Sequence, residues 1–428
     1  MRMTIMSTHN PSLRIAMLSV HSSPIGPLGA QNTGGMSVYV REVSRRLGSA
    51  GHLIDIFTYD GRSSGTMRID PNVRLISLHT GAGPLGKEQL VSHLPGLFDS
   101  LEAYRRADGI EYDLIHSHYW LSGVVGAMAQ ARWRCPHLTM FHTLGIVKNH
   151  TASGENEPAR RIAHERWLAK VADHIVVPSR SEQLNLMRHY HASRERLGVI
   201  PCGVDLAHFR LLDRAAVRRR LGIDPWADVL LYVGRFAPLK GIDRLIGALA
   251  RLQPRFPGLQ LLVIGGDGPG AESTRTLVRL AGELGVAAKV RFVGRVEQAG
   301  LPPYYNAADL LAVPSHYESF GLVVLEALAC GTPVAGTAVG AAAAIIDEGV
   351  NGTVLASPSI DDVAAGIARI VSLPRPLRPI GEAVRATAAD YGWPRIAAAV
   401  ARRYQILLSR HNPAQAPEFY TAVNIDPN

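Results

Sequence analysis

Residues 229–266 read VLLYVGRFAPLKGIDRLIGALARLQPRFPGLQLLVIGG. Val229–Val233 is an unbroken apolar run, so it reads as a strand buried on both faces. Asp243–Leu252 spaces Leu245, Ile246, Leu249 and Leu252 for one face of a helix, and a second buried strand, Leu259–Ile264, follows. Strand, helix and strand in that order make the βαβ unit of a parallel sheet.

The alternation extends in both directions. Helix Glu272–Leu284 and strands Val290–Val293 and Asp309–Val313 continue it. Earlier in the chain come strand Leu13–Val20, a Gly/Ser/Pro loop, a helix from about Met36 to Ala50 stopped at Gly51, and strand Leu53–Thr58. Strands Asp113–Ser117, Leu138–His142 and Ile175–Pro178 follow, with Ser179 placed to cap the next helix. At 428 residues the chain exceeds the ~250–300 that one core supports. The fold class expected is therefore α/β, with two doubly wound Rossmann-like domains. Ile200-Pro201-Cys202-Gly203-Val204-Asp205 and the polar helix Arg214–Leu221 place the linker near 202–226. We take residues 1–205 as the first domain and 206–392 as the second, with a further helix pattern at about 393–410.

Composition excludes several classes. Hydrophobic residues at 47% and charged residues at 19% describe a globular chain, not a disordered one. No apolar run approaches the ~20 residues of a membrane span, and the N-terminus lacks a signal-peptide core, so the expected location is the cytoplasm. Cys135, Cys202 and Cys330 are too scattered for a disulfide framework or a cysteine zinc site. The formal charge of +9 raises nucleic acid as a partner, but no aromatic-interleaved basic motif supports it. Arg218-Arg219-Arg220 and Arg402-Arg403 read as solvated helix faces or as a surface for anions.

In doubly wound folds ligands bind where strands end and helices begin. Four such loops are unusual. Ser22–Met36 carries Gly26, Gly29, Gly34 and Gly35 ahead of a helix, which suits either an anion site or a flexible loop. Gly234–Gly241 holds Arg235 and Lys240, a pair able to clamp a diphosphate or merely to face solvent. Gly265-Gly266-Asp267-Gly268-Pro269-Gly270 imitates a dinucleotide fingerprint, but a tight turn is the better reading of it. Pro314–Pro333 contains Glu318, just before a helix N-terminus, and Glu326, alone on an otherwise apolar helix that Gly331 ends. Glu326 needs donors, from a sugar or ribose or from a core arginine. Ser319, Phe320 and Gly321 offer backbone N–H groups beside Glu318. His116 and His118 share one strand face and read as site lining or, with a third ligand, a metal pair; His142-Thr143 ends the next strand at the same edge.

Glu318 and Glu326, seven residues apart within ESFGLVVLEALACGTPV, resemble the EX7E signature of retaining glycosyltransferases of family 4, which have the GT-B fold. Gly34-Gly35, GRFAPLKG and IPCGVD fall where that family has them, so the resemblance covers nearly the whole chain. It implies two Rossmann-like domains facing a cleft, with the C-terminal helix crossing back to the first. It further implies that Gly34, Gly35, Arg235, Lys240, Arg295, Glu318, Ser319, Phe320, Gly321 and Glu326 bind the donor, with His142, Arg235, Lys240 and Glu318 at the chemistry. HSHYWLSG at 116–123, HTLGIVKN at 142–149 and Lys87-Glu88-Gln89-Leu90 are most similar to members that transfer GlcNAc from UDP-GlcNAc to 1L-myo-inositol 1-phosphate. On that likeness Ser37, Lys87, Tyr119, Thr143 and Arg160 bind the acceptor, with Arg161 as a substitute for Arg160. Sucrose-phosphate synthases share part of the pattern and supply the alternative, glucose transfer to a sugar phosphate. Two positions depart from the pattern: Ser37 stands where those members have Asn, and Val339–Ala344 replaces a Gly-Gly-Leu/Ile-Pro-Glu turn.

The partners expected are a nucleotide sugar and a phosphorylated small molecule; no cofactor and no essential divalent metal are expected, and a homodimer is left open. Two rivals share the fold: a nicotinamide oxidoreductase, which the defective fingerprint at 265–270 disfavours, and a non-catalytic sugar-nucleotide binder, which Arg235, Lys240, Glu318 and Glu326 disfavour.

Overall fold

The structure is a computed structural model and describes residues 12–26, 34–59, 61, 64–151, 156–268 and 270–411. Gly29 and Pro269 lie outside the described residues. Strands β1 (Arg14–Leu18), β2 (Leu53–Thr58), β3 (Gly65–Asp70), β4 (Val73–Ser77), β5 (Leu114–His118), β6 (His137–Met140), β7 (His174–Val177) and β8 (Leu197–Val199) form one sheet in the order β3-β4-β2-β1-β5-β6-β7-β8. Strands β9 (Asp228–Gly234), β10 (Leu259–Gly265), β11 (Val290–Gly294), β12 (Leu310–Val313), β13 (Val334–Thr337) and β14 (Gly352–Leu355) form a second, ordered β11-β10-β9-β12-β13-β14. Among the described strands only β3, an exposed edge strand, runs antiparallel to its neighbour.

The apolar runs become central strands because helices cover both faces and leave no side for water. Leu230, Leu231, Leu261 and Val263 have no exposed surface. Helix Ile242–Leu252 buries Leu245, Ile246 and Leu249 against this sheet, at roughly 1.5–3 kcal/mol for each large side chain taken from water.

The chain crosses between sheets twice, and the crossings are bonded to each other. Val204 N–H donates to the Tyr391 carbonyl (2.8 Å) and Trp393 N–H to the Val204 carbonyl (3.3 Å). Helix Trp393–Arg410 then packs on helix Gly35–Ser49 of the first domain. Its Tyr404 hydroxyl lies 2.7 Å from His116 Nδ1 at the core of the first sheet.

Several expectations shift. The strand read as Leu13–Val20 spans Arg14–Leu18, and that read as Asp113–Ser117 begins one residue later, because the Asp113 carboxylate accepts from Arg14 N–H (2.7 Å) at the strand's start. Arg218 is no solvated cation. Helix Arg214–Leu221 turns it inward, where it pairs with Asp309 (2.8 Å) and donates to the Ala307 and Ala227 carbonyls. The turn reading of the third loop fits: Gly265 has φ +131°, and a Cβ there would sit 1.8 Å from the Gly234 carbonyl oxygen.

Candidate active site

The carboxyl ends of β5 and β6 face those of β9, β10 and β12 across a cleft of about 880 Å³. The first domain contributes Gly34, Gly35, Lys87, Tyr119, His142, Thr143, Lys148, Glu157 and Arg161 to its walls. The second contributes Arg235, Lys240, Gly265, Gly266, Asp267, Arg295, Gln298, residues 317–323 and Glu326.

On the second wall Lys240 Nζ donates to Glu318 Oε1 at 2.6 Å, and Ser315 Oγ donates to the same oxygen at 3.0 Å. Lys240 therefore has a carboxylate partner inside the site instead of standing alone beside Arg235. Glu326 lies buried behind them, its oxygens accepting from Tyr305 Oη (2.7 Å) and Gln298 Nε2 (3.0 Å). The core-arginine alternative fails, because these two neutral donors take that place. Burial raises the Glu326 pKa, and its two hydrogen bonds work against that shift. Arg295 reaches Asp267 at 3.3 Å. Two helices point their N-termini into the cleft, Gly35–Ser49 and Leu322–Ala329. They approach closely: a Cβ on Gly35 would lie 3.4 Å from Leu322 Cδ1.

The first wall is cationic. Lys87 Nζ lies 5.6 Å and Arg161 Cζ 4.9 Å from the centre of the Tyr119 ring. Arg161 is held by Glu165 (2.7 Å), Glu157 (2.8 Å) and Thr143 Oγ1 (2.9 Å). Lys87 has solvent-exposed surface because the cleft is open above it, yet cleft walls surround it. That enclosure first, then repulsion from Arg161 and Arg235, lowers its pKa from 10.5 to about 8, and water in the cleft mouth screens part of the effect. Lys148 pairs with Glu157.

Two acceptor assignments are corrected. Arg160 points away from the cleft and pairs with Glu88 at 3.1 Å, whereas its neighbour Arg161, turned about 100° around the helix, enters it. Ser37 is fully buried, with its hydroxyl 2.8 Å from that of Ser22 rather than in the cleft. His116 and His118 also lie behind the wall, fully buried, and only His142 reaches the cleft. Among the described residues no group of three or more His, Cys, Asp or Glu side chains is arranged to hold a metal ion.

Sequence reasoning missed the groups that bind the two walls together. Tyr317 Oη accepts from Leu144 N–H (3.1 Å), Ser319 Oγ donates to Glu182 Oε2 (2.8 Å), and Ser181 Oγ donates to the Gly340 carbonyl (3.0 Å). Burial raises the Glu182 pKa to about 8, against the Ser319 bond. Gly340 has φ +60°, and a Cβ there would come within 2.9 Å of the Glu318 and Phe320 carbonyl oxygens, so the turn seats directly under the Glu318 loop despite its alanine run.

Residues 33–208 match the family model described as Glycosyltransferase Family 4, and residues 213–387 match that described as Glycosyl transferases group 1. The chain belongs to glycosyltransferase family 4. Its similarity to curated members runs almost end to end. It is 41% identical to the D-inositol 3-phosphate glycosyltransferase 2 of Catenulispora acidiphila, over 91% of this chain and 94% of that one. It is 42% identical to the D-inositol 3-phosphate glycosyltransferase of Geodermatophilus obscurus, over 89% and 87%. The sucrose-phosphate synthase of Thermosynechococcus elongatus superposes with a TM-score of 0.84 at 33% identity, covering 93% of this chain and 99% of that one. Family membership makes the protein a glycosyltransferase with the GT-B fold, and no helix among the described residues is long and apolar enough to cross a membrane.

Proposed function

We propose that the enzyme is a retaining glycosyltransferase that moves GlcNAc from UDP-GlcNAc to a phosphorylated cyclitol such as 1L-myo-inositol 1-phosphate. One observation carries this reading: Lys87 and Arg161, with the Tyr119 and Thr143 hydroxyls, face Arg235 and Lys240 across a single cleft. A phosphate on the acceptor suits the first set and a diphosphate on the donor suits the second. The names of the relatives support an inositol phosphate as acceptor.

The acceptor hydroxyl attacks the anomeric carbon on the face from which the diphosphate departs. The bond from that carbon to the diphosphate oxygen breaks, and a departing phosphate oxygen takes the hydroxyl proton, so the new bond keeps the α configuration. Arg235, Lys240 and the two helix N-termini offset the charge that grows on the leaving group. Glu318 and the adjacent N–H groups fix the sugar, and Glu326 holds the ribose hydroxyls. Among the described residues that line the cleft, Glu157 is the one carboxylate on the first wall, and Lys148 and Arg161 already bind it, which favours same-face attack over a carboxylate nucleophile. Because protein cations meet the diphosphate, turnover should persist in excess EDTA.

Glucose transfer to a sugar phosphate is the second reading, supported by the 33% identity to a sucrose-phosphate synthase. A turnover screen of UDP-GlcNAc, UDP-Glc and GDP-Man against inositol phosphate and fructose 6-phosphate separates the two. We expect the UDP-GlcNAc and inositol phosphate pair to react fastest. Turnover confined to fructose 6-phosphate would replace this reading with the second.

A further inference from the structure

His142, in the cleft wall, is paired with a second histidine buried behind it. His118, at the end of β5, is fully buried, and its Nδ1 lies 3.0 Å from Nε2 of His142, which lines the cleft. Tyr39 meets both rings edge-on, at centroid distances of 5.6 and 5.4 Å. His142 has φ +60° and Tyr119, next to His118, has φ +74°. Left-handed backbone at two non-glycine residues costs energy, and such strain persists where surrounding structure holds a site in place.

Both imidazoles are neutral, because burial lowers their pKa values, that of His142 to about 3. Between two neutral rings only one nitrogen carries the bonding proton. If His142 Nε2–H were the donor, His118 would carry its own proton on Nε2, which is buried and has no hydrogen-bond partner among the described residues. A buried N–H left unpaired is rarer and costlier than an acceptor lone pair left idle. The proton therefore sits on His118 Nδ1 and is donated to His142 Nε2. A neutral His142 that accepts at Nε2 must be protonated at Nδ1. No other hydrogen bond of His142 is found among the described residues, so this proton is turned to the cleft.

We propose that His118 is a positioning residue that fixes His142 as the Nδ1–H tautomer, so that His142 presents a neutral N–H donor to an oxygen of the sugar bound in the cleft. The pair makes that position acceptor-only for the substrate: an oxygen that can receive a hydrogen bond fits, and a deoxy analogue leaves the N–H unpaired. This step rests on the sugar-transfer reading for its substrate, but the tautomer is a property of the ligand-free protein.

Two measurements test it. Imidazole ¹⁵N–¹H correlation spectra of wild-type enzyme, with the signal assigned by its loss in His142→Ala, should show His142 protonated at Nδ1. A His142 signal protonated at Nε2 overturns the proposal whatever the substrate proves to be. His118→Phe keeps the ring volume but removes the donor, and should lower kcat about tenfold, the worth of one well-placed hydrogen bond. The KM for the phosphorylated acceptor should hardly move. His118→Asn, whose side-chain amide can replace the Nδ1 donor, should recover most of the loss. Wild-type kcat in folded His118→Phe, or equal damage in both variants, would overturn the positioning role, and the wild-type spectrum decides the tautomer even if His118→Phe does not fold.

Discussion

The two walls of the cleft solve opposite electrostatic problems. Among described lining residues the first wall sets three cations, Lys87, Lys148 and Arg161, against the single carboxylate Glu157. The second sets Arg235, Lys240 and Arg295 against Asp267, Glu318 and Glu326. A wall with surplus positive charge is ready for an anion that brings its own negative charge. A balanced wall must exchange an internal ion pair, here Lys240 with Glu318, for contacts to the incoming diphosphate. Each wall is thus suited to a different kind of phosphate: a ground-state ligand on the first, and a leaving group whose charge grows during reaction on the second.

The most severe way to break this contrast is on the second wall. Arg235→Ala and Lys240→Ala should each lower kcat/KM by roughly 10²-fold or more, since each removes stabilisation of developing charge. In Lys240→Ala the part-buried Glu318 also loses its partner, so a modest fall in melting temperature is expected there and none in Arg235→Ala. Steady-state kinetics and thermal melts together check this. Unchanged kcat/KM in both variants would mean that the second wall does not serve the leaving group.

The first wall should respond differently, through binding rather than turnover. Lys87→Ala should raise the acceptor KM by about 10- to 100-fold, as for a charge-assisted hydrogen bond, and leave the donor KM nearly unaltered. Arg160→Ala, next to the wall but turned outward, should change neither by more than about twofold. The pH dependence sharpens the test. Lys87 is charged below its depressed pKa of about 8 and neutral above it, so acceptor affinity should fall as pH rises through that value. Lys87→Ala should lose that limb. A large effect of Arg160→Ala with none from Lys87→Ala would reverse the assignment.

The same contrast explains what could be read from the chain. Much of the second wall comes from short contiguous segments, 234–241 and 314–326, whose strand-loop-helix grammar is local, so Arg235, Lys240, Glu318 and Glu326 were legible in the sequence, whereas Gln298, from a separate connection, was not. The first wall gathers residues 87, 119, 143 and 161 from four separate connections. There the choice between Arg160 and Arg161 depended on which side of one helix packs inward, and no spacing rule settles that. Ser181, Glu182 and Tyr317 carried no local signal because they act across the domain gap. Among strands, the apolar buried runs were plain, whereas β3 is polar and exposed, and β13 (VAGT) and β14 (GTVL) carry Gly and Thr in place of an unbroken apolar run.

Among the cleft residues the smallest expected effect belongs to Glu326, and it tests how complete the balance of the second wall is. Both of its oxygens already accept protein hydrogen bonds, from Tyr305 and Gln298, so ribose hydroxyls would add to a satisfied carboxylate and not rescue an empty one. Glu326→Gln keeps the shape and one acceptor, but turns an amide N–H₂ toward one of the two donors or toward the ligand. The loss of one hydrogen bond to a charged acceptor, partly offset by the easier burial of a neutral group, should weaken UDP binding by about 1 kcal/mol, or roughly fivefold, by calorimetry. The melting temperature should hold or rise, because burial already raises the Glu326 pKa and a neutral amide escapes that cost. For the same reason a group whose folded pKa lies above its unfolded value loses stability as pH rises through the folded pKa, so any stability gain of Glu326→Gln should be larger at pH 8 than at pH 5. Unchanged UDP affinity with a lower melting temperature would make Glu326 a structural anchor for Tyr305 and Gln298, and the second wall would then bind nucleotide without it.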